Sequence, residues 1–204
     1  MKRLIVARHA EAAANVEGTV NGIPLGLGLS EAGQVEARAL ARALGAERID
    51  LGVSSRFART GETLRLALAE RHRSAPTLVL PELDEIGFGS FEGGPLRAYR
   101  QWAWTSEPDA PCPGGGESRS DVALRVVAAL ELLLARPEET ILAVGHALPL
   151  RYAIDAADGS FPAAKIEHLA HAVPFSLSRE EVEAAAETLR VWAEAPQFSA
   201  APSY

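Results

Sequence analysis

The hydrophobic positions of this chain fall into short unbroken runs, separated by stretches in which apolar residues recur with helical spacing. Leu4 to Ala7, Leu51 to Val53, Leu78 to Leu80 and Ile141 to Val144 are apolar at consecutive positions and stop at charge, proline or glycine. Runs this short and without polar alternation predict strands of a parallel sheet covered on both faces. Between them, Glu31 to Leu44 predicts a helix behind an N-cap at Ser30, and Phe57 to about Arg71 predicts a second that ends before Pro76. A third helix is marked by Ser118 and Asp121 at capping-box spacing, followed by Val122, Val126, Leu130 and Leu133 as far as Pro137. Strands alternating with helices predict an α/β fold, a three-layer sandwich whose mostly parallel sheet carries helices on both faces.

The last fifth of the chain is less regular. Ser178 to Glu181 has the character of a helix start, while Leu189 to Trp192 is compatible with a strand, so the pattern leaves that boundary open. The clearest irregular stretch runs from Glu107 to Gly116, with three prolines and three successive glycines. We therefore expect one domain over residues 1–194 and a loosely held tail over 195–204, which contains Pro196 and Pro202.

Composition narrows the partners. At 204 residues the chain is long enough to bury roughly 70% of its unfolded surface without cross-links, and its single cysteine, Cys112, excludes a disulfide scaffold. The formal charge of −7 argues against nucleic-acid or anionic-membrane binding, since both require a broad basic surface. No apolar run approaches the roughly 20 residues that a bilayer span needs. The apolar stretch after Met1 stops at Arg8, too soon for a signal-peptide core, so a cytoplasmic location is expected. Any anionic ligand must be small and met locally.

Four segments concentrate polar chemistry where strands end, the usual place for ligands in open α/β sheets. Arg8, His9, Ala10 and Glu11 follow the first run, and Gly145, His146 and Ala147 follow the fourth. Two of the five histidines thus stand at equivalent strand ends, either converging on one site or serving separately as structural residues. Ser54 to Arg59, with Thr63, opens a helix, where free N–H groups attract an anion and an arginine adds a fork of donors. Arg56 and Arg59 there are also compatible with solvated surface positions. Leu83 to Gly93 mixes Asp84, Glu85 and Glu92 with Phe88 and Phe91. A carboxyl partly desolvated by such neighbours is a proton donor near neutral pH, whereas a solvated one is an inert anion.

Taken together, these segments resemble the histidine phosphatase superfamily, with its phosphoglycerate-mutase-like fold, over about Leu4 to Arg151. Arg8-His9 resembles the family's Arg-His-Gly motif, which implies that His9 is the nucleophile and Arg8 a phosphate ligand, with Asn15 at the spacing of a further phosphate contact. Gly28 to Gly33 resembles the Leu-Thr-Glu-x-Gly start of the first helix. Ser54 to Thr63 resembles Ser-Ser-x-Leu-x-Arg-Ala-x-x-Thr, a register that selects Arg59 over Arg56 as the phosphate ligand. Leu83 to Gly89 resembles Leu-x-Glu-x-x-Phe-Gly and implies Glu85 as the acid, and Gly115 to Ser118 resembles the Gly-Gly-Glu-Ser entry to the long helix. His146 matches the second family histidine, with both a catalytic and a phosphate-binding role, and Ala147 beside it is also implied in phosphate binding. Two glycines of the pattern are alanines here, Ala10 and Ala147. A methyl group at either position strains or narrows the pocket if the backbone there requires a positive φ or close approach of phosphate.

The resemblance implies a phosphomonoester hydrolase acting on a small phosphorylated metabolite. His9 attacks phosphorus, Glu85 protonates the leaving oxygen, and Glu85 then activates water against the phosphohistidine. Neither metal nor cofactor is expected, and the sequence contains no zinc, calcium-loop, nucleotide P-loop or serine-elbow pattern. At about 4 Å and an effective dielectric near 20, each guanidinium is worth roughly 4 kcal/mol to a phosphate charge, while charges beyond about 8 Å are screened. The local clamp outweighs the net −7. Two alternatives remain open at this point: a cofactor-dependent phosphoglycerate mutase, and a phosphate-binding regulatory module that has lost turnover through Ala10 and Ala147. Only about 30 residues separate Glu85 from Glu117, which favours the hydrolase over the longer mutases. The natural substrate and the oligomeric state are not encoded in these motifs.

Overall fold

The computed structural model describes residues 1–70 and 75–199. Arg71, where the second helix is expected to end, lies outside them, as does Pro202 of the tail. Five strands form one sheet: β1 (Arg3–Arg8), β2 (Leu51–Ser54), β3 (Thr77–Val79), β4 (Thr140–Gly145) and β5 (Pro174–Ser178). Their order is β3-β2-β4-β1-β5, and all pairings are parallel except that of β5 with β1. The helices are α1 (Ala13–Glu17), α2 (Glu31–Ala43), α3 (Ala58–Ala69), α4 (Leu96–Ala103), α5 (Arg119–Leu134), α6 (Ala147–Ala156) and α7 (Arg179–Glu194).

The unalternated strands are explained by the two cores they join. Leu4 and Val6 of β1, with Ile141 and Ala143 of β4, pack into a core shared with α5, α6 and α7. Ile5 and Ala7, with Leu142 and Val144, pack into a second core shared with α2 and α3. Successive side chains point to opposite faces, and here both faces are dry. Gly52 of β2 allows α3 to lie close, because a Cβ there would stand 2.9 Å from the Leu68 side chain.

Local signals start the helices where the sequence predicts. The Ser30 hydroxyl accepts from the Gly33 N–H, and Ser118 and Asp121 form a reciprocal capping box. The boundary that the pattern leaves open resolves as helix, not strand: Leu189 to Trp192 is the end of α7. A capping box of Ser178 with Glu181 nucleates that helix, and Val182, Ala185, Ala186, Leu189 and Trp192 continue one buried stripe along it. Beyond α7, the Trp192 Nε1 donates to the Gln197 carbonyl (2.8 Å) and the Ser199 N–H to the Pro162 carbonyl (3.0 Å). Among the described residues, no helix is long and apolar enough to cross a membrane.

Gly33 ties the helix layer to the site. A Cβ at this position would lie 1.9 Å from the backbone oxygen of Glu11, in the turn that follows His9. Gly33→Ala is therefore expected to cost about 2 kcal/mol by overpacking, seen as a drop of about 4–8 °C in Tm. An unchanged melting curve would mean that α2 slides freely against this turn.

Candidate active site

The site is assembled by strand register. β1 and β4 lie side by side and parallel, with Arg8 opposite Gly145, so His9 and His146 leave the sheet together. The His9 N–H donates to the Gly145 carbonyl (2.9 Å), and the two imidazole centroids stand 5.3 Å apart. β2 flanks β4 on its other side and delivers Ser55, whose Oγ lies 2.8 Å from Nε2 of His146.

Hydrogen-bond chemistry assigns both ring tautomers. Nδ1 of His9 lies 2.7 Å from the Ala10 carbonyl, which can only accept, so Nδ1 carries the proton and Nε2 keeps a free lone pair. At His146, Nη2 of Arg59 can only donate to Nδ1 (3.2 Å), so Nε2–H points to Ser55. Both rings are buried, and burial followed by the nearby Arg59 guanidinium holds their pKa values well below 6.5. Each is neutral at physiological pH.

Two arginines converge on the histidines. Arg59, in the first turn of α3, is braced by Nη1 to Asn21 Oδ1 (2.8 Å) and Nη2 to the Asn21 carbonyl (2.9 Å), and its guanidinium lies over the Phe57 ring. Burial lowers its pKa to about 10, which leaves it charged. Arg8 donates Nη1 to the Leu169 carbonyl (2.8 Å), while its buried Nε has no partner among the described residues. An unsatisfied buried donor costs about 1–3 kcal/mol, and a ligand oxygen would remove that cost. Arg56 turns away and pairs with Asp84, so Arg59 is the arginine of this segment that reaches the histidines.

Glu85 enters from the loop after β3. Its Oε1 accepts from the Ile86 N–H (3.0 Å), and burial raises its pKa against the pull of Arg59 and Arg8. The loop is laced from α5: Arg125 donates to the carbonyls of Glu82, Asp84 and Glu85 and pairs with Glu117, which accepts from the Gly87 N–H. Asn15 stands at the rim, its Oδ1 committed to the Ala12 N–H (2.9 Å) and its amide donors left over. Ala147 is the first residue of α6, so a helix N-terminus opens onto the same space.

Arg8, His9, Asn15, Arg59, Glu85 and Ala147 all line one cleft of about 390 Å³, with His146 directly behind. Neither alanine has a positive φ. Ala10 is wholly buried in the core on the α2/α3 side of the sheet, so its methyl stays out of the cleft, whereas Ala147 lines it. Asn21, Arg125 and His171 escaped the sequence reading. His171, 162 residues away from His9 in sequence, donates Nδ1–H to the His9 carbonyl (2.8 Å) beside its backbone bridge to Arg8, and no local pattern marks it. Cys112 is buried, with its thiol pushed up to about 11 by burial, and lies outside the cleft.

Comparison with known proteins agrees with this geometry. The family model "Histidine phosphatase superfamily (branch 1)" matches residues 4–195. The chain is 32% identical over 158 residues to phosphoserine phosphatase 1 of Hydrogenobacter thermophilus, covering 74% of each chain. It is 31% identical over 158 residues to the adenosylcobalamin/alpha-ribazole phosphatase of Escherichia coli, covering 71% of this chain and 73% of that one. A mycobacterial glucosyl-3-phosphoglycerate phosphatase solved with VO3 superposes with a TM-score of 0.71 at 26% identity, covering 87% of this chain and 91% of the other. With the match running through nearly its whole length and the two strand-end histidines side by side at the cleft, His9 lining it and His146 packed behind, the chain belongs to the histidine phosphatase superfamily, branch 1.

Proposed function

We propose that this chain, a small-metabolite phosphatase by family and relatives, works through a phosphohistidine on His9 without a metal ion. The observation that carries the reading is the tautomer of His9. Its Nδ1–H is held by the Ala10 carbonyl, which leaves the Nε2 lone pair as a nucleophile between Arg8, Arg59 and His146. In the first step, Nε2 forms a bond to phosphorus as the ester P–O bond breaks, and Glu85 gives its proton to the departing alkoxide. Positive charge on the phosphorylated imidazole is shared with the Ala10 carbonyl through Nδ1–H. In the second step, Glu85 takes a proton from water, whose oxygen attacks phosphorus and restores neutral His9 with release of inorganic phosphate.

Arg8, Arg59, Asn15 and the N-terminus of α6 at Ala147 hold the phosphoryl oxygens, supplying the charge stabilisation on which phosphoryl transfer depends, while His146, whose one N–H goes to Ser55, positions Arg59 through Nδ1 instead of meeting the phosphate as the motif implied. Arg59 then serves the phosphate as well as His146. The raised Glu85 pKa suits an acid that must be protonated before the first step and ionised after it.

Purified protein should release phosphate from p-nitrophenyl phosphate equally well with and without EDTA. His9→Ala should lower the rate by about 10³-fold or more, and wild-type enzyme quenched in alkaline denaturant should carry an acid-labile phosphoramidate that the mutant lacks. Persistent turnover in His9→Ala would eliminate the phosphohistidine route.

Glu85→Gln should slow alkyl phosphates by about 10²–10⁴-fold and p-nitrophenyl phosphate far less, because nitrophenolate leaves without a proton. The pH profile follows the same logic. The protonated fraction of Glu85 falls as pH rises through its raised pKa, so alkyl phosphates gain an alkaline limb that p-nitrophenyl phosphate lacks. Equal losses on both substrates would move the acid role to another group.

Given 3-phosphoglycerate and a catalytic amount of 2,3-bisphosphoglycerate, the protein should form free phosphate rather than 2-phosphoglycerate. Faster isomerisation would instead select the mutase.

A further inference from the structure

The cleft carries more positive charge than one phosphoryl group uses. Four guanidinium groups line it, Arg8, Arg59, Arg100 and Arg119, against the carboxyl groups of Glu85 and Glu167. Glu167 is engaged by Arg151 (3.1 Å), and burial pushes Glu85 toward its neutral form. A guanidinium surplus inside a chain of net charge −7 is a local arrangement, not a consequence of composition.

Arg119 is the unusual member. It is only 5% exposed, yet it borders the cleft and forms no ion pair among the described residues. Its Nε donates to the Tyr152 hydroxyl (2.9 Å), Nη1 to the Tyr99 hydroxyl (3.1 Å) and Nη2 to the Ala164 carbonyl (2.9 Å). Those contacts use three of the five N–H donors of a guanidinium and supply no negative charge. A buried cation without an anion is expensive to keep. The rings of Tyr152 and Phe198 at 5.6 and 5.8 Å fix its plane. The Arg100 guanidinium, exposed on α4, has no hydrogen-bonded or ionic partner among the described residues, and Lys165 lies over the Trp104 ring (5.0 Å), which also lines the cleft. Ile86, Phe88, Leu148 and Ile166 give the same cleft apolar lining.

We infer that Arg119 is a specificity-determining residue that binds a carboxylate on the leaving group, so that the preferred substrates are phosphomonoesters of hydroxy acids. This rests on the phosphomonoesterase reading above. The phosphoryl group occupies the histidine end, a short carbon chain lies along the apolar wall, and the carboxylate takes the two uncommitted N–H groups of Arg119, with Arg100 adding charge at the mouth. A leaving group ending in a neutral amide or an alkyl group leaves the Arg119 charge uncompensated.

The test uses the intact protein and a series of ω-carboxyalkyl phosphates of two to four carbons, each against its own carboxamide. At the best length, kcat/KM for the carboxylate should exceed that for the amide by about 10- to 100-fold, as for a charge-assisted hydrogen bond. In Arg119→Gln this ratio should fall to near unity, and Arg119→Lys should restore part of it. A wild-type ratio near one at every length overturns the proposal without requiring any variant to fold. Equal losses on carboxylate and amide in Arg119→Gln would make the residue a structural brace and also overturn it. Failure of the underlying reading is seen separately, as absence of any His9-dependent release from p-nitrophenyl phosphate.

Discussion

The parallel pairing of β1 with β4 is the constraint on which the rest of the site depends. Because Arg8 is opposite Gly145, the next residue of each strand is a histidine, and the strand spacing alone brings the two rings to 5.3 Å. β2, on the far side of β4, adds Ser55, and α3, which follows β2, returns Arg59 across both. Shifting β1 by one residue against β4 would exchange its two buried faces and separate the rings at once. The same two dry cores that enforce the register therefore hold the chemistry in place.

Charge and protonation follow from burial. Loss of water keeps the two buried imidazoles neutral, and the arginines beside them add to this, since a further positive charge there would be repelled as well as desolvated. The carboxyl of Glu85 is driven the other way by the same loss of water. A single desolvated cleft thus holds a neutral nucleophile and a protonatable acid side by side, with positive charge fixed in advance around the position of a tetrahedral anion. The supporting shell is built to resist movement: Asn21 braces Arg59, Arg125 and Glu117 lace the acid loop, and the Ala10 carbonyl fixes the His9 ring.

The two alanines in place of glycine have different consequences. Ala10 has a negative φ, and its methyl joins the core beneath α2 and α3, so the backbone of the first motif is unstrained. Ala147 shares the unstrained backbone but borders the cleft at the start of α6, so its methyl shapes the space offered to a ligand. Any effect of the two substitutions on ligand fit therefore falls at Ala147, at the α6 end of the cleft.

Much of this was legible in the chain itself. Unalternated strand runs, capping serines at Ser30 and Ser118, and polar clusters at strand ends are local features with local causes, and they point to the segments of His9, His146, Arg59 and Glu85, among which the resemblance to the family's motifs picks Arg59 over Arg56 and Glu85 as the acid. The sequence leaves the end of α7 open because Leu189 to Trp192 is apolar enough for a strand, while the cap at Ser178 marks only where the helix starts. What only the tertiary structure decided are contacts between residues far apart in sequence: His171 on the His9 carbonyl, Arg125 on the acid loop, and Arg119 without a counter-ion in the cleft wall. A side chain's partners depend on which backbone segments fold against it, and that is fixed by packing across the whole molecule, which no window of neighbouring residues contains.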